Sequence, residues 1–127
     1  MGALHAGHLS LIQRARWDND TVVVSIFVNP LQFGANEDLD AYPRTLELDI
    51  SLCKAAGVDC IFAPTALDLY GAGFNSDTLV TVVPPPMLAQ PLCGQFRPGH
   101  FDGVATVVTK LISMIRPQRS YYGQKDA

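Results

Sequence analysis

The sequence predicts an α/β domain with a mostly parallel sheet and flanking helices. Two mainly apolar segments, 21–28 and 58–63, are each followed closely by a proline, as strands often are, and the first is rich in β-branched residues. Segment 46–56 lies between them and carries helix signals, with Thr45 before it and Gly57 after it. Its leucines and isoleucine also alternate as in a strand, but the start and stop signals favour a helix. Strand, helix and strand in this order predict a right-handed βαβ unit with parallel strands.

The remaining segments extend the same alternating pattern. The continuous apolar character of 21–28 predicts a central strand that is buried on both faces. The helix predicted at 101–115 has an apolar stripe, although its β-branched residues lower its intrinsic helix propensity. Thr45 is predicted to cap the helix at 46–56. The other predictions are a helix at 9–17, loops at 65–77 and 92–100, strands at 78–83 and 119–123, and a helical turn at 87–90.

Composition excludes several classes of protein. The 127 residues are 48% hydrophobic and 17% charged, which is typical of one globular domain with its own core. A net charge of −3 argues against broad nucleic-acid binding. The sequence contains no apolar run of about 20 residues that could span a bilayer, and it begins with no secretion signal. Three widely spaced cysteines indicate reduced thiols. We therefore expect a cytoplasmic protein without membrane or nucleic-acid partners.

Two histidines separated by Ala6 and Gly7 mark the strongest candidate site. His5 and His8 precede or begin a predicted helix, where backbone N–H groups and the helix dipole favour an anion. Gly7 keeps this approach open, and the imidazoles can stabilise charge that develops on a phosphate. The motif also fits two surface histidines near a terminus. A metal pair completed by Cys93 or His100 is less favoured, because no further ligand has a convincing spacing.

Three further motifs are expected around the same ligand. Asn29 and Gln32 follow the first strand and offer amides that can bind hydroxyl and carboxylate groups. Residues 123–126 follow the last predicted strand, and both motifs therefore lie where ligands bind in open α/β sheets. Arg97 and His100 precede a helix and can hold an anion, although a role in loop packing is equally consistent with their positions.

Five segments together closely resemble the pantothenate synthetase (pantoate–β-alanine ligase) family. The resemblance runs in order through MGALHAGH (1–8), SIFVNPLQFG (25–34), NEDLDAYPRT (36–45), RPGHFDGVATVVTK (97–110) and GQKD (123–126). It implies a nucleotidyltransferase-type Rossmann-like fold, usually in a homodimer, with a smaller C-terminal domain. It also implies that Mg-ATP adenylates the carboxylate of pantoate and releases pyrophosphate. The amine of β-alanine then attacks the adenylate, which yields pantothenate and AMP.

The resemblance implies a role for each matching residue. His8 would be the proton donor, His5 would lie beside it on the phosphates, and Lys125 would bind phosphate while Asp126 binds ribose. Gln32 would bind both pantoate and β-alanine, and Met1 and Asn29 would belong to the pantoate pocket. Mg²⁺ would enter with ATP, and no resident metal is implied. The implied ATP-binding residues are Met1, Gly2, Ala3, Leu4, His5, Ala6, Gly7, His8, Gly123, Gln124, Lys125 and Asp126.

The sequence also departs from the family pattern. Family members have a strand before the first motif, and after the last motif a further glutamine, another ATP loop and the C-terminal domain. Gln124 stands where glutamate is common. We therefore expect 1–127 to be part of an N-terminal nucleotide- and pantoate-binding domain, truncated at both ends and inactive alone. Two alternatives remain at this point: another nucleotidyltransferase with a His-x-Gly-His site, or a non-catalytic fragment that binds nucleotide or dimerises.

Overall fold

A computed structural model describes residues 1–33, 45–74, 78–89, 97 and 99–124 of the chain. These residues form two compact units that interleave along the sequence. Unit 1 contains the described residues of Met1–Val28, Pro43–Pro64 and Pro117–Ala127. Unit 2 contains the described residues of Asn29–Tyr42 and Thr65–Arg116.

Helices and short strands alternate through the first half of the chain, and helices dominate the second. None of the described helices combines the length and the apolar character that crossing a bilayer requires. The elements in chain order are α1 (Ala6–Asp18), β1 (Val23–Ser25), a 3₁₀ helix (Pro30–Gln32), α2 (Leu46–Ala55), β2 (Cys60–Phe62), α3 (Ala66–Tyr70), α4 (Pro86–Ala89) and α5 (His100–Ile115).

Unit 1 contains the predicted βαβ unit. Strands β1 and β2 pair in parallel, with Val24 opposite Ile61, and α2 connects them. The pairing continues one residue further, because Ile26 N donates to Phe62 O at 2.9 Å. The parallel sheet with flanking helices is thereby confirmed.

Strand β1 is buried on one face, so the prediction of two buried faces is wrong. Val22, Val24 and Ile26 point into the core, whereas the side chain of Val23 is 38% exposed. The reason is that the described core lies on one side of the strand. It consists of the buried residues Leu4, Ile12, Val24, Ile26 and Cys53, with Leu9, Leu52, Ala56, Val58 and Ile61 packed against them.

The two helices of unit 1 begin and end by different means. Helix α1 begins at Ala6, three residues before the predicted start, because the His5 side chain caps it by accepting a hydrogen bond from Gly7 N. Helix α2 follows Thr45 as predicted, but the threonine side chain makes no capping bond to the backbone. Its hydroxyl instead donates to the Asp49 carboxylate at 3.4 Å. Gly57, at φ +76°, takes the left-handed conformation expected after α2.

A tight ion pair joins the beginnings of the two strands. The Asp59 carboxylate accepts from Val22 N at 2.7 Å and from the Arg16 guanidinium at 2.6 Å. These bonds, the backbone one foremost, hold the pKa of Asp59 below its usual value. Asp59, just before β2, therefore binds both Arg16 of α1 and the backbone just before β1.

Three other predictions of secondary structure are wrong. Segment 65–77, predicted as a loop, contains α3, which a reciprocal capping box between Thr65 and Asp68 initiates. Segment 78–83 is not a strand, because its described residues pair with no strand and Val82 N donates to the Thr106 hydroxyl. Segment 119–123 is also not a strand, since side-chain hydrogen bonds to the end of α1 hold it.

Helix α5 confirms the prediction for 101–115, but its fully buried residues are not those of the apolar stripe, which is mostly half-buried. The buried residues are Gly103, Thr106 and Val107, whereas Ile112 in the stripe is exposed. At Gly103 the helix meets the backbone of the 3₁₀ helix. A Cβ there would overlap the Leu31 carbonyl and lie 2.8 Å from Gln32 N. Only glycine allows this approach. Helix α4 confirms the predicted helical turn, apart from residue 90, which lies outside the described residues.

We predict that Gly103→Ala lowers the free energy of unfolding by about 1–3 kcal/mol, because the new methyl group would displace backbone atoms. This is the net change expected after the gain of about 1 kcal/mol that alanine ordinarily brings to a helix. Denaturant unfolding of the full-length gene product measures the change. Ser113→Ala, at an exposed position of α5, is the matched control and should cost nothing. A Gly103→Ala protein as stable as the wild type would contradict the close approach.

Candidate active site

The segment Met1 to His5, called the first loop from here on, lies against the end of β1 and leads into α1. Met1 O accepts from Phe27 N at 3.1 Å, and the Met1 amino group donates to Ser25 O at 2.9 Å. The loop then turns, with Gly2 at φ +153° and Ala3 at φ +47°. The left-handed conformation at Ala3 is uncommon for a residue with a side chain, so the surroundings must hold it.

The carboxylate of Asp49 holds this turn. Its two oxygens accept hydrogen bonds from Ala3 N at 3.0 Å and Leu4 N at 2.7 Å, and the residue is 1% exposed. Leu4 itself is buried in the core. The first loop is thus fixed to α2 by a buried charge and to the core by an apolar side chain.

His5 and His8 stack at the beginning of α1. Their ring centroids are 4.0 Å apart with an angle of 33° between the ring planes. Nδ1 of His5 accepts the hydrogen bond from Gly7 N at 3.1 Å, which leaves Nε2 to carry the proton of a neutral ring. A Cβ at Gly7 would lie 3.0 Å from Cε1 of His5. Glycine at this position therefore lets the His5 ring cap the helix.

This arrangement suits an anion that gains negative charge during a reaction. The first turn of a 13-residue helix contributes backbone N–H groups and the positive end of its dipole. Two imidazoles beside it can donate hydrogen bonds or a proton. The chemistry favours a phosphate group over a neutral ligand.

The segment before the predicted ATP motif 123–126 is tied to the other end of α1. The Tyr121 hydroxyl donates to the Asp18 carboxylate at 3.1 Å and accepts from the Asn19 side chain at 2.8 Å. Arg119 donates to Asp18 O. Gly123 and Gln124 are described, and Gln124 is exposed. Lys125 and Asp126 lie outside the described residues, so their predicted roles stay predictions.

In unit 2, Asn29 organises the turn that carries Gln32. Its side-chain oxygen accepts from Leu31 N at 3.2 Å and from the Tyr70 hydroxyl at 2.7 Å. Its nitrogen donates to Gly103 O at 3.0 Å and to the Gln32 side chain at 3.4 Å. Asn29 is 3% exposed, and these four bonds use the full capacity of its amide. The predicted contact of Asn29 with pantoate stays a prediction; what the structure shows is support of Gln32.

Arg97 and His100 hold the same turn from the beginning of α5. The backbone oxygen of Gln32 lies 2.8 Å from Nδ1 of His100 and 3.4 Å from the Arg97 guanidinium, which also contacts the His100 ring. These contacts support the loop-packing interpretation of the two residues. Segment 34–44, which completes the motif after Gln32, lies outside the described residues.

Tyr70 and Lys110 complete the support on the far side of Asn29. The Lys110 ammonium donates to Leu69 O at 2.9 Å and lies 5.5 Å from the centre of the Tyr70 ring. Burial raises the pKa of Tyr70 to about 12, so the phenol remains a hydrogen-bond donor at neutral pH. Tyr70 belongs to no motif that the sequence analysis recognised, and Lys110 ends the motif 97–110 without a predicted role.

The cysteines and the metal alternative add no further site among the described residues. Cys53 is buried and Cys60 is exposed, and both are free thiols, whereas Cys93 lies outside the described residues. Burial first, and then the charge of Asp49, raise the pKa of Cys53, which therefore stays a neutral thiol. Within the part of the chain that the structure describes, no three His, Cys, Asp or Glu side chains could hold a metal ion together.

Sequence reasoning gave no role to three of the residues that support the site. Asp49 resembled an ordinary acidic residue in the first turn of a helix, and only the fold brings it to Ala3 and Leu4. Gly103 carried one available signal, because a glycine inside a strongly apolar helix often marks a close approach. Tyr70 had no such signal, since it was assigned to a loop.

We predict that Tyr70→Phe lowers the free energy of unfolding by about 0.5–1.5 kcal/mol, because the buried oxygen of Asn29 loses a donor. Tyr122→Phe is the matched control, since Tyr122 is largely exposed, and it should change stability little. Thermal or denaturant unfolding of the full-length gene product distinguishes the two. Equal effects of the two substitutions would show that the bond between Tyr70 and Asn29 contributes nothing measurable.

Comparisons with known proteins bear on this site. The family model for pantoate-beta-alanine ligase matches residues 1–127. A bifunctional pantoate ligase/cytidylate kinase from Synechococcus elongatus is 61% identical over 127 residues, which are 100% of this chain and 24% of that protein. The corresponding protein from Thermosynechococcus vestitus is 58% identical over the same share of this chain. The chain therefore spans about a quarter of the length of the curated relatives it matches.

Solved structures give the same result. A pantothenate synthetase from Thermus thermophilus superposes with a TM-score of 0.90 at 53% identity, over 99% of this chain and 44% of that one. A pantoate-beta-alanine ligase from Francisella tularensis, complexed with beta-gamma ATP and beta-alanine, superposes with a TM-score of 0.84 at 45% identity, over 92% of this chain and 43% of that one. These neighbours have a nucleotidyltransferase-type Rossmann-like fold, which agrees with the parallel sheet and flanking helices described above. The chain belongs to the pantoate-beta-alanine ligase family.

Proposed function

We propose that the protein containing this chain is an ATP-dependent ligase that joins pantoate to β-alanine through a pantoyl adenylate. The observation that carries the proposal is the stacked pair of His5 and His8 at the beginning of α1, in a chain of this family. The Francisella relative, whose structure contains an ATP compound and β-alanine, supports the choice of substrates.

In the proposed first step, a carboxylate oxygen of pantoate attacks the α-phosphorus of Mg-ATP. The bond to the bridging oxygen breaks, and pyrophosphate leaves with the electron pair. Negative charge grows on the phosphate oxygens in the transition state. Donors that are already in place stabilise such charge better than water does. His8 is proposed as the proton donor and His5 as its neighbour on the phosphates.

In the proposed second step, the amine of β-alanine attacks the acyl carbon of the adenylate. The C–O bond to AMP breaks, the amide bond forms, and the nitrogen loses a proton. Gln32 is proposed to bind both pantoate and β-alanine, since an amide side chain both donates and accepts hydrogen bonds. The turn that carries it is held from three sides, by Asn29, by His100 and Arg97, and by Gly103.

The remaining predicted residues are proposed to bind ATP or pantoate. Lys125 is assigned to phosphate and to catalysis, and Asp126 to ribose. Met1 is assigned to both ATP and pantoate, and Asn29 to pantoate. Mg²⁺ is part of the Mg-ATP substrate. The other proposed ATP-binding residues are Gly2, Ala3, Leu4, Ala6, Gly7, Gly123 and Gln124.

The setting of this chemistry is also a proposal. We place the chain in a nucleotide- and pantoate-binding domain of a homodimer, as the resemblance to the family implies, and in the cytoplasm, as its widely spaced cysteines suggest. Sedimentation of the full-length gene product measures the oligomeric state. A monomer across the working concentration range would reject the dimer without affecting the proposed reaction.

We predict that His8→Ala in the full-length gene product lowers pantoate-dependent exchange between ATP and pyrophosphate about 10²–10³-fold, because one preorganised donor is lost. The exchange reports adenylation alone, since it needs no β-alanine. Gln13→Ala, an exposed substitution on the same helix, is the control and should leave the exchange unchanged. If the exchange were intact and only the KM for β-alanine rose, His8 would not act in adenylation.

We predict that Gln32→Ala weakens pantoate binding about tenfold or more, because hydrogen bonds to a charged ligand contribute about 1.5–3 kcal/mol each. Calorimetric titration of the full-length gene product with pantoate measures the dissociation constant. Gln118→Ala removes an exposed glutamine elsewhere and should change nothing. An unchanged affinity for pantoate in the Gln32→Ala protein would reject the assignment.

A further inference from the structure

Asp49 is a buried carboxylate whose bonds are directed at the backbone of the first loop. It lies in the first turn and a half of α2, is 1% exposed, and accepts from Ala3 N, Leu4 N and the Thr45 hydroxyl. Its neighbour Glu47 occupies the same end of the same helix but is exposed. Comparing substitutions at Asp49 and Glu47 therefore separates the specific effect of Asp49 from the general effect of an acidic residue near a helix N-terminus.

A buried carboxylate is stable only when hydrogen bonds replace its hydration. Here those bonds come from consecutive backbone N–H groups, at 3.0 and 2.7 Å, one to each oxygen. Such charge-assisted bonds are shorter and about twice as strong as neutral ones. The carboxylate therefore fixes both the position and the direction of the backbone at Ala3 and Leu4.

The backbone position at Ala3 and Leu4 determines where the two imidazoles lie. Ala3, at φ +47°, turns the loop so that Leu4 enters the core and His5 follows as the cap of α1. The His5 ring then accepts from Gly7 N and stacks on His8. Only three residues separate Leu4 from His8, so we expect a change at Ala3 and Leu4 to move both rings.

We propose that Asp49 is a positioning residue for adenylation, which sets the first loop and through it the His5 and His8 rings. The inference rests on the proposed function for its catalytic consequence and on the observed geometry for its structural part. Asp49 acts through the backbone and contacts neither ring. Its role differs from that of the residues assigned to substrate above.

The test uses Asp49→Asn in the full-length gene product. The substitution keeps the shape of the side chain, but its –NH₂ group faces one backbone N–H that needs an acceptor. A misplacement of the imidazoles by a fraction of an ångström to about 1 Å should lower the kcat of pantoate-dependent ATP–pyrophosphate exchange about 10–100-fold. Glu47→Gln removes the same charge from an exposed site and should keep wild-type exchange.

A second control separates positioning from stability. Leu52→Ala removes packing from the same helix and the same core without touching the hydrogen bonds of Asp49. It should lower the free energy of unfolding at least as much as Asp49→Asn while retaining most of the exchange activity. A loss of exchange in proportion to stability across both variants would overturn the proposal, as would full exchange in Asp49→Asn.

One measurement needs no variant and stands apart from the proposed function. Amide hydrogen exchange at Ala3 and Leu4 in the wild-type protein should be strongly slowed although both lie outside a helix, because the carboxylate binds their protons. Exchange at the rate of an unstructured loop would overturn the structural part of the proposal. Slow amide hydrogen exchange in a wild-type protein that shows no pantoate-dependent ATP–pyrophosphate exchange would instead reject the proposed function alone.

Discussion

The buried carboxylate of Asp49 is the interaction on which the geometry of the first loop depends. Without an acceptor on α2, the amides of Ala3 and Leu4 would lack partners at the edge of the core, and the left-handed turn at Ala3 would lose its support. Because Leu4 is part of the same core as Val24 and Cys53, the loop, β1 and α2 form one packed arrangement. That arrangement sets the position of the His5 and His8 rings.

Unit 2 supports the turn that carries Gln32 by different means. These are a close helix contact at Gly103 and the side-chain amide of Asn29, which makes four hydrogen bonds. Gly103 lets α5 meet the backbone at Leu31, and Asn29 uses all four of its hydrogen-bonding positions beside that contact. The turn that presents Gln32 is consequently fixed at both its backbone and its side chain. In both units the predicted site residues are held by residues to which the sequence analysis gave no role, Asp49 in unit 1 and Gly103 and Tyr70 in unit 2.

The sequence predicted what local signals encode. Prolines after the two apolar segments and the start and stop signals around α2 identified the βαβ unit, and the two histidines marked the region where α1 begins, at Ala6 rather than at residue 9. It failed where a distant contact decides the outcome. Segment 78–83 has strand-like residues, but Val82 N is satisfied by Thr106, 24 residues away. Asp49 binds amides 45 and 46 residues away, which no local pattern reveals. The capping box of Thr65 and Asp68, by contrast, is a local signal that spans only four residues.

Transfer of oxygen from pantoate to AMP tests the central claim most directly. Pantoate labelled with ¹⁸O in its carboxylate is turned over by the full-length gene product with ATP and β-alanine, and the products are analysed by mass spectrometry. Attack of the carboxylate on the α-phosphorus predicts one labelled oxygen in AMP and none in pyrophosphate. Label in orthophosphate or pyrophosphate, or unlabelled AMP, would contradict an adenylate formed at the first loop.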